Sequence, residues 1–282
     1  MDDHTRREPS VPVTIGLVGG AAALARSLSP RMFAAAFREA GMPHAYYVPL
    51  PVRDSTPAKA MRSLARLGFR GANVTTPYKR LAAEVAADAS DDVLVAAAAN
   101  TLVVTRGGRL RAEATDGDAV VEALQDAGVD LAGASTRIHG AGGAASQVAV
   151  ALARAEVASI RIVNRSEEPA RMLADRLHVA FPALALQVGD MVPIDEPAHV
   201  IVSAVPAEAA PVDTALQHGP EATIVDLAYR HDGQPTALVV AARAVGAPVI
   251  DGRELLVRQG ALAFRHWFGA EPSREAMIRA VG

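Results

Sequence analysis

Cysteine is absent from this chain of 282 residues. That excludes disulfides, thiol nucleophiles and Cys-ligated zinc or iron–sulfur sites, and it fits a reducing, cytoplasmic setting. No basic block occurs and the net charge is −3, which argues against a nucleic-acid binder, whose footprint is a basic patch. No stretch approaches the ~18 uninterrupted apolar residues of a membrane helix. The first ten residues, MDDHTRREPS, are polar, read as a loose terminus, and lack the apolar segment of a signal peptide. Lysine is almost missing: Lys59 and Lys79 stand against 26 arginines. The expectation is a small-molecule protein without metal, membrane or nucleic acid. Half the residues are hydrophobic, so a core, or two of ordinary size, is easily built.

Where arginine serves nearly everywhere, a lysine is kept in Gly71-Ala72-Asn73-Val74-Thr75-Thr76-Pro77-Tyr78-Lys79. Arginine cannot release its proton near neutral pH; a lysine can if its site lowers its pKa. Lys79 is therefore the first candidate for acid/base chemistry. The other reading is a solvated lysine at a helix start.

Strand-like and helix-like segments alternate, the mark of an α/β protein. Residues 13–18, 46–52 and 69–74 read as strands. Ser29-Pro30 opens a helix, with Ser29 as cap and Pro30 in the first turn, and Met32, Ala36 and Phe37 share its face. A helix is expected over 57–67, with Met61, Leu64 and Leu67 in register. Segments 100–105 and 110–114 straddle Gly107-Gly108 as a hairpin, and a helix follows over about 118–127, which Asp116 could cap. From 135 onward, strands at 136–139, 159–163, 183–188, 200–205, 223–227 and 248–250 alternate with helices, a doubly wound parallel sheet. From Arg253 the chain is helical.

Gly140-x-Gly142-Gly143 lies between a strand and a helix. Glycines there allow the tight turn and bring backbone N–H groups and the helix N-terminus to a pyrophosphate. After the next strand an NAD site carries an acidic residue for the ribose 2′-OH. Here the residues are Asn164-Arg165-Ser166. Arg165 suits a 2′-phosphate and Ser166 is a neutral donor, which favours NADP and leaves NAD open. Glu167 and Glu168 act against a phosphate. Equally, Ser166 can cap a helix whose dipole the two glutamates answer.

Taken in order, these motifs resemble the shikimate dehydrogenase family from about residue 13 to 269. Ser27-Leu28-Ser29-Pro30 is similar to its S-x-S-P, and Asn73 to Lys79 to its N-V-T-x-P-F/Y-K. Ala99-Asn100-Thr101-Leu102 is similar to A/V-N-T-L, and Thr115-Asp116-Gly117 to the end of N-T-D-G. Gly140 to Ala145 resembles G-A-G-G-A, Asn164-Arg165-Ser166 resembles N-R-T/S, Asp226-x-x-Tyr229 resembles D-x-x-Y, and Gly252 to Gln259 resembles G-x-x-M-L-x-x-Q.

The resemblance implies a substrate domain over 11–116, completed by helices over 251–282, and a Rossmann-type dinucleotide-binding domain over 117–250. It implies reversible reduction of 3-dehydroshikimate to shikimate with NADP, in the pathway to aromatic amino acids. Ser27, Ser29, Thr75, Asn100, Asp116 and Gln259 would bind the cyclohexene acid, its carboxylate on the serines. Lys79 and Asp116 would flank the reacting oxygen as the acid–base pair. Tyr229 would lie near substrate and nicotinamide. Gly140, Gly142, Gly143, Ala144, Asn164, Arg165 and Ser166 would hold the cofactor. The chain departs from the pattern at Phe33-Ala34 (usually H-N), Arg26 (usually H) and Ala114 (usually N). On the cofactor side, Pro169 replaces a basic residue, Ser203-Ala204-Val205-Pro206 replaces N-A-T-S, and His139 replaces an apolar residue. A relative acting on quinate, aminoshikimate or a related acid, or one using NAD, is the alternative reading. A non-catalytic sensor of the ligand is a third, against which the pairing of Lys79 with Asp116 argues, since binding alone does not require it.

Overall fold

In the computed structural model, residues 12–52, 56–189, 198–210, 212 and 219–282 are described; the polar segment 1–10 lies outside them. The first unit begins with β1 (Val13–Gly19), α1 (Ala21–Ala25), α2 (Ser29–Glu39) and β2 (Ala45–Pro51). It continues through α3 (Pro57–Arg62), β3 (Phe69–Val74), α4 (Lys79–Val85), β4 (Asp88–Ala89), α5 (Asp91–Ala96), β5 (Thr101–Val104) and β6 (Leu110–Glu113). These strands form one sheet in the order β2-β1-β3-β5-β6-β4. β1 runs parallel to both of its neighbours, and β5 pairs antiparallel with β6 across Gly107-Gly108 as the glycines predict.

α6 (Thr115–Asp126) leads to the second unit: β7 (Ser135–His139), α7 (Gly143–Arg154), β8 (Ser159–Val163), α8 (Glu167–Ala180) and β9 (Ala185–Gly189). β10 (Val200–Ser203), β11 (Thr223–Asp226), α9 (Ala237–Ala244) and β12 (Val249–Ile250) complete it. The sheet order is β12-β11-β10-β7-β8-β9 and every pair is parallel. Numbered from β7, this is the 3-2-1-4-5-6 order of dinucleotide-binding sheets, with its switch point between β7 and β10. α10 (Gly252–Phe268) and α11 (Arg274–Val281) then pack back on the first sheet. There Phe264 and Trp267 join Ile15, Met32, Phe33 and Phe37 in one buried cluster. The Trp267 indole N–H donates to the Leu102 carbonyl at 3.0 Å, so its one polar atom is satisfied.

Three local expectations are corrected. The helix expected over 57–67 is regular only to Arg62, and Leu67 is 68% exposed while Met61 and Leu64 are buried. A turn ending at Gly68, with φ +78°, swings Leu67 out of the helical register. Ser29 does not cap α2. It is the first helical residue, and the Ser27 hydroxyl accepts its N–H at 3.2 Å instead. α6 starts at Thr115 rather than 118, so Asp116 lies inside the first turn and Ala114 holds the cap position. An acidic side chain there is favoured by the helix dipole and projects from the turn toward the cleft.

Candidate active site

A cleft of about 490 Å³ opens between the two sheets. Ser27, Ser29, Thr75, Lys79, Asn100, Asp116, Ala144, Tyr229 and Gln259 all line it, brought together from separate segments of both units. Lys79 opens α4 directly after β3 and the 75–78 turn. Its Nζ lies 2.5 Å from Asp116 Oδ2, with only 16% and 13% of the two side chains exposed.

The carboxylate is held from behind. Asn100 Nδ2 donates to Asp116 Oδ1 and to Thr115 Oγ1, each at 2.8 Å, and approaches Gln259 Oε1 at 3.3 Å. The Thr115 N–H donates back to Asn100 Oδ1 at 2.8 Å. The Asp116 N–H donates to Gln147 Oε1 of α7 at 3.2 Å. One face of Asp116 is thus fixed by neutral amides and the other is left to the ammonium. Such a pair can hold a proton at a defined point beside a polar substrate atom.

A second network serves the serine end. Tyr47 on β2 donates its phenol proton to Asn73 Oδ1 at 2.9 Å. The Asn73 amide donates to the Asn100 carbonyl at 3.2 Å and to Thr101 Oγ1 at 3.0 Å. Burial raises the Tyr47 pKa well above 10.0, outweighing the lowering hydrogen bond from Ser29. The phenol therefore stays protonated, and it ties Ser29 through Asn73 to the Lys79–Asp116 end. Tyr47→Phe strands the buried Asn73 oxygen, so a stability loss of about 1–3 kcal/mol is expected. Denaturant unfolding of the parent and variant measures it; equal midpoints and slopes would remove Tyr47 from this network.

Gly140, Ala141 and Gly142 make the turn between β7 and α7, and Gly142 holds the cap position with no side-chain bond. A Cβ on Gly142 would meet nothing within 4 Å, whereas one on Gly143 would lie 2.7 Å from Lys79 Cβ. The start of α7 therefore presents open N–H groups on one side and touches the Lys79 side chain on the other. That cradle fits a pyrophosphate, for which a helix N-terminus is suited.

Asn164, Arg165 and Ser166 follow β8 and are not in the cleft lining. Asn164 Nδ2 donates to the Ser166 carbonyl at 2.7 Å, which closes the turn, and Arg165 is exposed. Ser166 holds the cap position of α8 but makes no side-chain capping bond. Glu167 is engaged by Arg171, at 2.6 Å and one helical turn on, so less of its charge opposes a phosphate than the sequence suggests. Glu168 is exposed.

Comparison with known proteins gives the family. Residues 20–102 match the shikimate dehydrogenase substrate binding domain, 122–235 match shikimate / quinate 5-dehydrogenase, and 252–281 match the shikimate 5′-dehydrogenase C-terminal domain. The shikimate dehydrogenase (NADP(+)) of Rubrobacter xylanophilus is 35% identical over 95% of this chain and 94% of its own length. The chain belongs to the shikimate dehydrogenase family.

Among solved structures, the Thermus thermophilus shikimate 5-dehydrogenase in complex with NADP(H) and shikimate is 30% identical. Its TM-score is 0.77, over 95% of this chain and 98% of that one. The Listeria monocytogenes shikimate 5-dehydrogenase in complex with shikimate and NAD is 25% identical, with a TM-score of 0.83 over 98% of each chain. The mixed α/β architecture, with a Rossmann-type second sheet, is that of the shikimate dehydrogenases. No helix among the described residues is long and apolar enough to cross a membrane.

One motif residue, Asp226, is a buttress, and His139, a departure from the pattern, is a buried neutral side chain. Asp226 is fully buried, accepting from Thr236 Oγ1 at 2.6 Å and from the Ala228 N–H at 3.0 Å, and burial raises its pKa. It fixes the turn that carries Tyr229 to the cleft. His139 is enclosed at the end of β7; burial, then the charge of Arg137, lowers its pKa to about 4, so it is neutral near pH 7. Sequence reasoning missed Tyr47 and Gln147. Neither has a local signal, because each acts on a residue far along the chain.

Proposed function

We propose that this chain is an NADP-dependent shikimate dehydrogenase that interconverts 3-dehydroshikimate and shikimate. The observation that carries this reading is the enclosed Lys79–Asp116 pair, set in one cleft between two serines and the glycine turn. The two-domain division over 11–116 with 251–282, and 117–250, is part of the same reading; its boundary at 116/117 falls inside α6.

Ser27 and Ser29 bind the substrate carboxylate. The Ser27 oxygen already accepts the Ser29 N–H, which leaves its hydroxyl proton free for an anion. Thr75, Asn100 and Gln259 face the ring hydroxyls, and Tyr229 closes the cleft from the second unit. The start of α7, with Asn164, Arg165 and Ser166 beyond it, holds the dinucleotide. The bound nicotinamide supplies or takes the hydride. Lys79 supplies the proton to the developing alkoxide during reduction and takes it back during oxidation. Asp116, anchored by Asn100, keeps the ammonium aimed at that oxygen. A non-catalytic sensor has no need of such a pair.

A dehydrogenase assay crossing shikimate and quinate with NADP and NAD tests the reading. Turnover is expected with shikimate and NADP; activity confined to quinate, or no activity with any pair, would overturn it. Arg165 supplies one charge-assisted contact to a 2′-phosphate, worth ~1.5–3 kcal/mol. The preference for NADP over NAD in catalytic efficiency should therefore be about tenfold to a hundredfold, at ~1.4 kcal/mol per factor of ten. Arg165→Ala should abolish most of it while leaving NAD use nearly intact. A parent that prefers NAD outright would remove Arg165 from this role.

A further inference from the structure

We propose that Arg80, contributed by the first sheet's unit, is a ligand of the cofactor pyrophosphate at the glycine turn; this rests on the dinucleotide reading above. Arg80 follows Lys79 in the first turn of α4. It reaches across the seam between the units, where its Nη2 donates to the Ala141 carbonyl at 3.0 Å. Ala141 is the middle residue of Gly140-Ala141-Gly142, the turn that opens α7, with open space beside Gly142 and with Ala144 in the cleft lining.

Arg80 is exposed, and this carbonyl is its partner among the described residues, with no carboxylate to neutralise it. A second cation lies close by. Arg176 of α8 has a pKa lowered by burial and then by the Arg80 charge. Its own donors are spent on the carbonyls of Val95 and Ala96, at 3.0 and 3.4 Å. Asp175 offsets part of the charge on Arg176, whereas Arg80, at the turn itself, has a carbonyl for its partner. Like charges so placed repel, and an anion at the start of α7 stabilises the Arg80 guanidinium. Pro169 stands where the family pattern described above implies a basic residue. Arg80 supplies positive charge from the opposite wall.

The assignment separates two roles. A pyrophosphate is common to NADP and NAD, so Arg80 strengthens both alike, whereas Arg165 discriminates between them. The test is titration of NADP+, NAD+, ADP-ribose and 2′-AMP, without substrate, into the parent, Arg80→Gln and Arg80→Lys, followed by calorimetry. Glutamine keeps an amide donor, on a shorter side chain, but carries no charge. The Arg80→Gln dissociation constants for both dinucleotides and ADP-ribose should rise by ~10-fold or more, as for loss of a charge-assisted hydrogen bond. Their ratio and the 2′-AMP affinity should stay as in the parent, and lysine should restore part of the loss. Thermal unfolding of the free variants should match the parent.

Unchanged affinities in a folded Arg80→Gln would reduce Arg80 to a tie across the seam and overturn the proposal. Weakening confined to NADP+ and 2′-AMP would also overturn it, by moving Arg80 to the 2′-phosphate. A parent that binds no dinucleotide would overturn both this inference and the cofactor reading beneath it. Because no acid substrate enters the titration, the identity of that substrate does not affect the result.

Discussion

Lys79→Ala should lower turnover by roughly 10²–10⁴-fold, the range for a positioned acid or base, with a smaller change in the Michaelis constant. The geometry explains the split. Lys79 meets Asp116 at 2.5 Å, and the substrate retains the serines, Asn100 and Gln259 as binding groups when the ammonium is removed. What is lost is the donor that neutralises a charge appearing only during reaction, and such a loss lowers kcat more than ground-state binding. Lys79→Arg sharpens the test. It preserves a cation near Asp116, but a guanidinium does not release its proton near neutral pH. It is also larger, in a site where Lys79 already packs against Gly143. If proton transfer is the function, arginine rescues little. Steady-state kinetics in both directions, with folding checked by circular dichroism, supply the measurement. A near-normal turnover number in folded Lys79→Ala would remove Lys79 from the acid–base role.

Much of this site was legible because its residues lie in short motifs at the ends of strongly patterned elements. The 69–74 strand, the glycine turn and the strand at 159–163 place Lys79, the cradle and Arg165 by local sequence alone. The parts that were not legible are those set by distant neighbours. Asp116 reads as the partner of Lys79 and could also cap the next helix; it lies instead inside the first turn, held by Asn100 and Gln147 from 16 and 31 positions away. Leu67 fits a helical period that a turn breaks after Arg62. The repulsion expected from Glu167 is answered by Arg171, a spacing visible in the sequence once Glu167 is known to lie in a helix. Arg80 has no local meaning beside Lys79; only the packing of α4 against the start of α7 brings it to Ala141.

Alanine at both Ser27 and Ser29 should raise the Michaelis constant for shikimate by about 10²–10⁴-fold, from two hydrogen bonds to a carboxylate at ~1.5–3 kcal/mol each. Turnover at saturation should change far less, because the carboxylate keeps its charge throughout the reaction and its binding is the same in ground and transition states. The structure also separates binding from folding. Ser29 makes no capping bond, so the structural part of its hydroxyl is its bond to Tyr47. Ser27 does accept the Ser29 N–H, and its loss should cost about 0.5–2 kcal/mol, as for a helix cap, which unfolding experiments correct for. A shikimate analogue with its carboxylate replaced by a neutral carboxamide provides the decisive control. It should bind the parent weakly, and the double variant should handle it about as poorly as the parent does. If instead the variant loses affinity equally for the acid and the carboxamide, the serines shape the cleft without contacting the charge. If the variant binds shikimate as well as the parent, the carboxylate lies elsewhere in the cleft.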